Sequence, residues 1–189
     1  MKGFAAALTR SAEIKLALAK DPSFIATWEG AGKLLLEAAR AGGTIFSCGN
    51  GGSACDAMHL TEELVARYKG DRPGVKAMHW IDGGTLTCWG NDKDFGSAFG
   101  RCAETFCTSS DVVVCISTSG NSQNVCAAAV AARGKGAKVI GLLGRDGGKL
   151  KALCDVAVIV PAQETERIQE SHIAIIHGWC ELFEMPKTN

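Results

Sequence analysis

The sequence predicts an α/β protein whose mostly parallel, five-stranded sheet is covered by helices on both faces. Three observations carry that expectation. The 189 residues, 47% of them hydrophobic, are enough for one substantial core. After residue 43, short β-compatible runs alternate with longer stretches of helical spacing. Two of those runs end in loops rich in glycine and hydroxyl residues, at 47–53 and 117–122, each followed by a helical pattern.

Taken in order, residues 3–20 and 23–41 show helical spacing, the second with Leu34, Leu35, Ala38 and Ala39 before a Gly42-Gly43 stop. Strands are predicted at 44–48, 75–80, 112–117, 137–142 and 156–160, and helices near 52–68, 94–107, 121–134 and 147–153. A long helix from about 165 to 183 closes the pattern, with Ile168, Ile175, Ile176 and Leu182 on it. The stretch from Met1 to Arg10 begins like a signal peptide, but its apolar run is short and reads as the start of a helix. No linker or repeat divides the chain, and no apolar run approaches a membrane span. The expectation is a soluble, cytoplasmic protein.

Charge and cysteine content exclude several classes. Twenty basic residues balance twenty acidic ones, so no net field steers the chain toward nucleic acid or an anionic membrane. Any anion site must be local. The nine cysteines form no Cys-x-x-Cys pair and are odd in number, which argues against a disulfide framework or a zinc finger. Most read as small buried hydrophobes, with Cys48 and Cys55 placed nearest a site.

The two loops are the first candidates for function. Backbone N–H groups at a helix N-terminus carry partial positive charge, and glycine or small hydroxyl residues let an anion approach them. Gly49-Asn50-Gly51-Gly52-Ser53-Ala54 also fits a dinucleotide fingerprint, with Asp82 as a ribose-binding acid, but that reading leaves the second loop unexplained. In the second loop Ser117, Thr118, Ser119 and Ser122 crowd four hydroxyls at one strand end. Helix capping needs only one of them, so the cluster favours a phosphate monoester.

Candidate chemistry rides on the helix after the first loop. Asp56, His59 and Glu63 share a helix face, where His59 and Glu63 can hold a metal ion, act as an acid and base pair, or make an ordinary solvated contact. The last helix adds Gln169, Glu170, His172 and His177. On a straight helix Gln169 and His177 differ by about 80° and about 12 Å of rise. Both reach one ion only if their side chains converge, the helix distorts, or different subunits contribute. His172 and His79 read as structural.

Ser-Cys-Gly-Asn-Gly-Gly-Ser at 47–53, Asp56-Ala57-Met58-His59, Glu62-Glu63-Leu64, Arg67-Tyr68, Gly90-Asn91-Asp92, residues 116–122, Asp146-Gly147-Gly148 and Arg167-Ile168-Gln169-Glu170 together resemble the phosphoheptose isomerase family. That family is part of the sugar isomerase (SIS) domain proteins, and the resemblance runs through nearly the whole chain. It implies a flavodoxin-like, three-layer α/β/α SIS fold spanning 1–189. Helices in 1–42 would pack in the oligomer, and 43–189 would form the α/β core. It also implies a homotetramer with active sites at subunit contacts.

The implied reaction interconverts sedoheptulose 7-phosphate and D-glycero-D-manno-heptose 7-phosphate, the first step toward ADP- or GDP-heptose for lipopolysaccharide and other glycosides. By the same resemblance Asn50, Gly51, Gly52 and Ser53, with Glu63 and Gln169, line the substrate. Asn91 and Asp92 hold its sugar part, and Ser117, Thr118, Ser119 and Ser122 its phosphate. His59, Glu63, Gln169 and His177 match the positions that bind one zinc per subunit, and Glu63 and His177 the base and acid. A related SIS protein that binds a replication initiator lacks the acid and histidine at positions 63 and 177, and both are present here. Glu166, Trp80 and Trp89 depart from the family pattern and are expected to reshape the pocket rim.

Overall fold

The computed structural model describes residues 2–184; the domain span 1–189 also includes residue 1 and residues 185–189, which lie outside the described residues. Two helices, α1 (Lys2–Ala19) and α2 (Pro22–Arg40), precede the sheet. Asp21 caps α2 by accepting from the Ser23 and Phe24 amides, and Pro22 opens its first turn. Then follow β1 (Ile45–Cys48), α3 (Gly52–Val65), β2 (Ala77–His79), α4 (Gly83–Asp92) and α5 (Ala98–Phe106). The chain continues through β3 (Val112–Ser117), α6 (Gln123–Gly134), β4 (Lys138–Gly144), β5 (Val156–Val160) and α7 (Thr165–Glu184). Among the described residues no helix is long and apolar enough to cross a membrane.

The strands pair in the order β2-β1-β3-β4-β5, and every pairing is parallel. This is the flavodoxin-like doubly wound order, whose direction of winding reverses between β1 and β3. Alternate strand residues feed two cores. Ile45, Val112, Val114, Ile116, Ile140 and Leu142 point into the layer of α1, α2, α3 and α7. Phe46, Val113, Cys115, Val139 and Leu143 face α5 and α6 on the other side. Each large aliphatic side chain fully buried in this way contributes roughly 1.5–3 kcal/mol.

The predicted strands all form, 112–117 and 156–160 with the expected bounds and the other three with shifted ends. The predicted helix at 94–107 is broken into a 3-10 turn at Phe95–Ser97 and α5, and 147–153 forms a 3-10 helix at Lys149–Leu153. Helix α4 is unforeseen, because none of its residues is buried and it has no apolar stripe to read. Trp80 is 3% exposed and stacks on Phe46 at 5.2 Å, so it fills the second core and does not line a pocket rim.

Candidate active site

The glycine-rich loop at 49–52 and the hydroxyl-rich loop at 117–122 lie side by side, because they leave the carboxyl ends of adjacent strands where Cys48 pairs with Cys115. That is the switch point at which doubly wound sheets bind ligands. A reciprocal amide pair joins them. Asn50 Nδ2 donates to Asn124 Oδ1 at 2.8 Å, and Asn124 Nδ2 donates back to Asn50 Oδ1 at 2.9 Å. Asn124 is buried in the first turn of α6, where nothing in the local sequence marks it as a site residue.

Inside the second loop the hydroxyls divide their work. Ser117 is buried, and its Oγ accepts from the Gly120 amide at 3.1 Å and lies 3.2 Å from Ser122 Oγ. Ser119 Oγ accepts from the Asn121 amide at 3.2 Å. Ser122 occupies the N-cap of α6 yet makes no side-chain cap bond. Its hydroxyl, with those of the partly exposed Thr118 and Ser119, lies at a positive helix end. Gly120 has φ +63°, and a Cβ there would collide with the Gly147 carbonyl. The loop is fixed further by Leu150 N donating to Gly120 O at 2.9 Å and Lys149 N to Asn121 Oδ1 at 3.2 Å.

Helices α3 and α7 pack together and present a second group. His59 Nε2 lies 3.1 Å from His177 Nε2 and 3.2 Å from Glu63 Oε1. One ligand atom from each of His59, Glu63 and His177 lies within 4.8 Å of the others. Two imidazoles and a carboxylate are a donor set that suits zinc, and its bonds of about 2.0–2.2 Å give tetrahedral edges near the separations found here. The three residues can therefore hold a metal ion. The Tyr68 ring packs 5.8 Å from that of His177, a contact the sequence reading did not assign to the site.

Gln169 sits elsewhere on the same pair of helices. Its amide lies against the Gly52 backbone, where a Cβ would run into it. Gly52 opposes Gln169 and His59 opposes His177, so the helices run parallel. His59 and Glu63 stand about 10 and 16 Å along α3 from Gly52. Gln169 and His177 of one chain are correspondingly two turns apart. Asn91 and Asp92 end α4, exposed, with Asn91 Nδ2 donating to Asp92 Oδ1 at 2.8 Å. Asp82 caps α4 by accepting from the Thr85 amide at 2.6 Å, so it is not held out toward a ribose.

Two buried groups nearby have displaced acidities. Burial raises the Asp56 carboxyl to about 6, against a smaller lowering by His59, and its Oδ2 has no partner among the described residues. Burial lowers His172 to about 4, while a contact from its Nε2 to the Leu143 carbonyl at 3.1 Å holds the ring in the core. His79 accepts from the Ile81 amide at 3.2 Å and is structural as well. Cys48 is buried at the end of β1, and Cys55 is exposed on α3.

The family model for the SIS domain matches residues 25–144. Phosphoheptose isomerase of Escherichia fergusonii is 46% identical over 178 residues, covering 94% of this chain and 93% of that one. The solved structure of phosphoheptose isomerase from Neisseria gonorrhoeae superposes with TM-score 0.90 at 37% identity, covering 97% of each chain. That of Francisella tularensis gives 0.89 at 30% identity, covering 96% of each. Fold, order of elements and identity across nearly the full length agree: the chain belongs to the SIS-domain proteins, within the phosphoheptose isomerase family.

Proposed function

We propose that this enzyme, a sugar phosphate isomerase, interconverts sedoheptulose 7-phosphate and D-glycero-D-manno-heptose 7-phosphate in the cytoplasm, opening a route to nucleotide-activated heptose. The convergence of Glu63, His59 and His177 is the observation that carries this reading. Moving a carbonyl from C2 to C1 transfers one proton between the carbons through an enediolate, and another between the oxygens. Glu63 takes the C1 proton and returns it to C2, and His177 serves O1 and O2. Thr118, Ser119 and Ser122 hold the phosphate at the N-terminus of α6, with Ser117 shaping the loop from inside. Asn50, Gly51, Gly52 and Ser53 wall the sugar.

Zinc suits the donor set of His59, Glu63 and His177, with Gln169 as a fourth position, and when bound it supplies Lewis-acid stabilisation of the enediolate oxygens. Helix rise bears on where these groups meet. Within one chain Glu63 stands about three turns along α3 from Gly52, whose loop lies beside the one proposed to receive the phosphate. A site combining both is therefore assembled between copies of the chain in a homotetramer, α3 and α7 of one copy meeting the phosphate loop of the next. The same arrangement lets Gln169 and His177 from different copies approach one ion, and Asn91 and Asp92 contribute to the sugar site.

Purified chain incubated with sedoheptulose 7-phosphate tests the reading. Aldose product should appear, fall after chelation, and return when zinc is added. No product under any of the three conditions would contradict the assigned reaction, and full activity after complete chelation would contradict the metal.

A further inference from the structure

The segment between α3 and β2, residues 66–76, straps both helices that carry the His59, Glu63 and His177 group. Arg72 lies at its centre. Its Nη2 donates to the Glu63 carbonyl at 2.7 Å and its Nη1 to the Leu64 carbonyl at 2.9 Å, both in the last turn of α3. Those carbonyls lack intrahelical partners, as the last four of any α-helix do. The Nε of the same guanidinium donates to Glu184 Oε1 at 2.8 Å, and Glu184 Oε2 accepts from the Gly70 amide at 2.8 Å. The Arg72 and Glu184 side chains are only 11% and 15% exposed. Glu184 lies two turns beyond His177 on α7. Lys69 Nζ reaches Glu181 Oε1 at 2.5 Å, and Tyr68 lies on His177.

We propose that Arg72 is a positioning residue for Glu63, joining the end of α3 to the end of α7 so that base and acid keep a fixed separation. The proposal rests on the reading of Glu63 and His177 as base and acid. Glu63 takes part through its backbone carbonyl in the same cap that meets Glu184, so a slip of α3 against α7 breaks the cap before it moves the carboxylate. The positive guanidinium also faces the negative end of α3. Only a planar fork with several donors can serve two carbonyls and a carboxylate together, and a lysine ammonium keeps the charge while losing that geometry.

The test compares kcat, KM and thermal midpoint on sedoheptulose 7-phosphate for the full chain and its Arg72→Lys, Arg72→Ala and Glu184→Gln variants, with Glu63→Gln alongside. Misplacement of a base by about an ångström is expected to lower kcat about tenfold to a hundredfold in both Arg72 variants, with KM nearly unchanged. Glu184→Gln should lose less, in the same direction. Millimolar ethylguanidinium should restore part of the kcat of Arg72→Ala and leave the parent and Arg72→Lys unaffected. If Arg72→Ala does not fold, Arg72→Lys and Glu184→Gln decide the matter by the same split. Variants that fold with lower thermal midpoints and parental kcat would overturn the proposal. Parental kcat in Glu63→Gln would overturn the base reading beneath it, whereas an inactive Glu63→Gln beside a normal Arg72→Lys would overturn the positioning role alone.

Discussion

Ser122 holds its hydroxyl at the start of α6 without capping it, and the partly exposed Ser119 accepts from the Asn121 amide, whereas Ser117 is buried with its hydroxyl turned inward to the Gly120 amide. If these hydroxyls hold the phosphate as proposed, alanine at 119 or 122 should raise KM about tenfold with kcat nearly kept, since each removes a contact shared by ground and transition states. Gly120→Ala should do more. Its Cβ meets the Gly147 carbonyl, so the loop must open, and steady-state kinetics should show a KM increase larger than for either serine. A Gly120→Ala variant with parental KM would mean that the loop does not form the phosphate site. At this scale the sequence singled out His59 and Glu63 as candidates through their i, i+4 spacing, with an ordinary solvated contact as the alternative, and the fold brings both beside His177. It could not disclose Asn124, Tyr68 or Arg72. Each acts on a partner distant in sequence, and nothing local to these residues marks that partner.

Among the elements, α3 and α7 carry two buried titrations of opposite sign. The folded state lowers His172 from 6.5 to about 4, so stability falls as pH drops through that window, the unfolded chain binding the proton first. It raises Asp56 from 3.8 to about 6, so stability falls as pH rises through that window, the folded chain keeping the proton longer. Each effect is on the order of 3 kcal/mol over its full range. The slopes oppose one another between about pH 4 and 6. Denaturant titrations of Asp56→Asn should show a gain over the parent that grows from pH 4 to pH 6, exposing the acid sensitivity due to His172. A constant difference would contradict the buried, partnerless carboxylate. The strands were legible in the sequence because buried parallel strands are apolar on both faces. Helix α4 was not, since a helix that buries nothing leaves no periodic signature.

For the whole molecule, the doubly wound sheet fixes one part of the site and the parallel α3 and α7 helices fix another, two to three turns away. The sequence showed that distance only as a geometric obstacle between Gln169 and His177. The folded chain confirms that Gln169 and His177 are engaged at different heights, with Gly52 and with His59 respectively. The assembly proposed above would remove the obstacle, and on that proposal dilution of the enzyme to the point of dissociation should abolish turnover while leaving the fold intact by circular dichroism. Activity that stays proportional to enzyme concentration through dissociation would place a complete site in one chain.

Glu63 is proposed to move the proton between C1 and C2. Replacing it with glutamine preserves shape and removes the base, so the direct measurement is the rate at which Glu63→Gln converts sedoheptulose 7-phosphate, with folding checked by its thermal midpoint. General-base catalysis of this kind accounts for about a hundredfold to ten-thousandfold in rate, and a loss in that range is expected. Turnover of the folded Glu63→Gln variant at the parental rate would contradict the account.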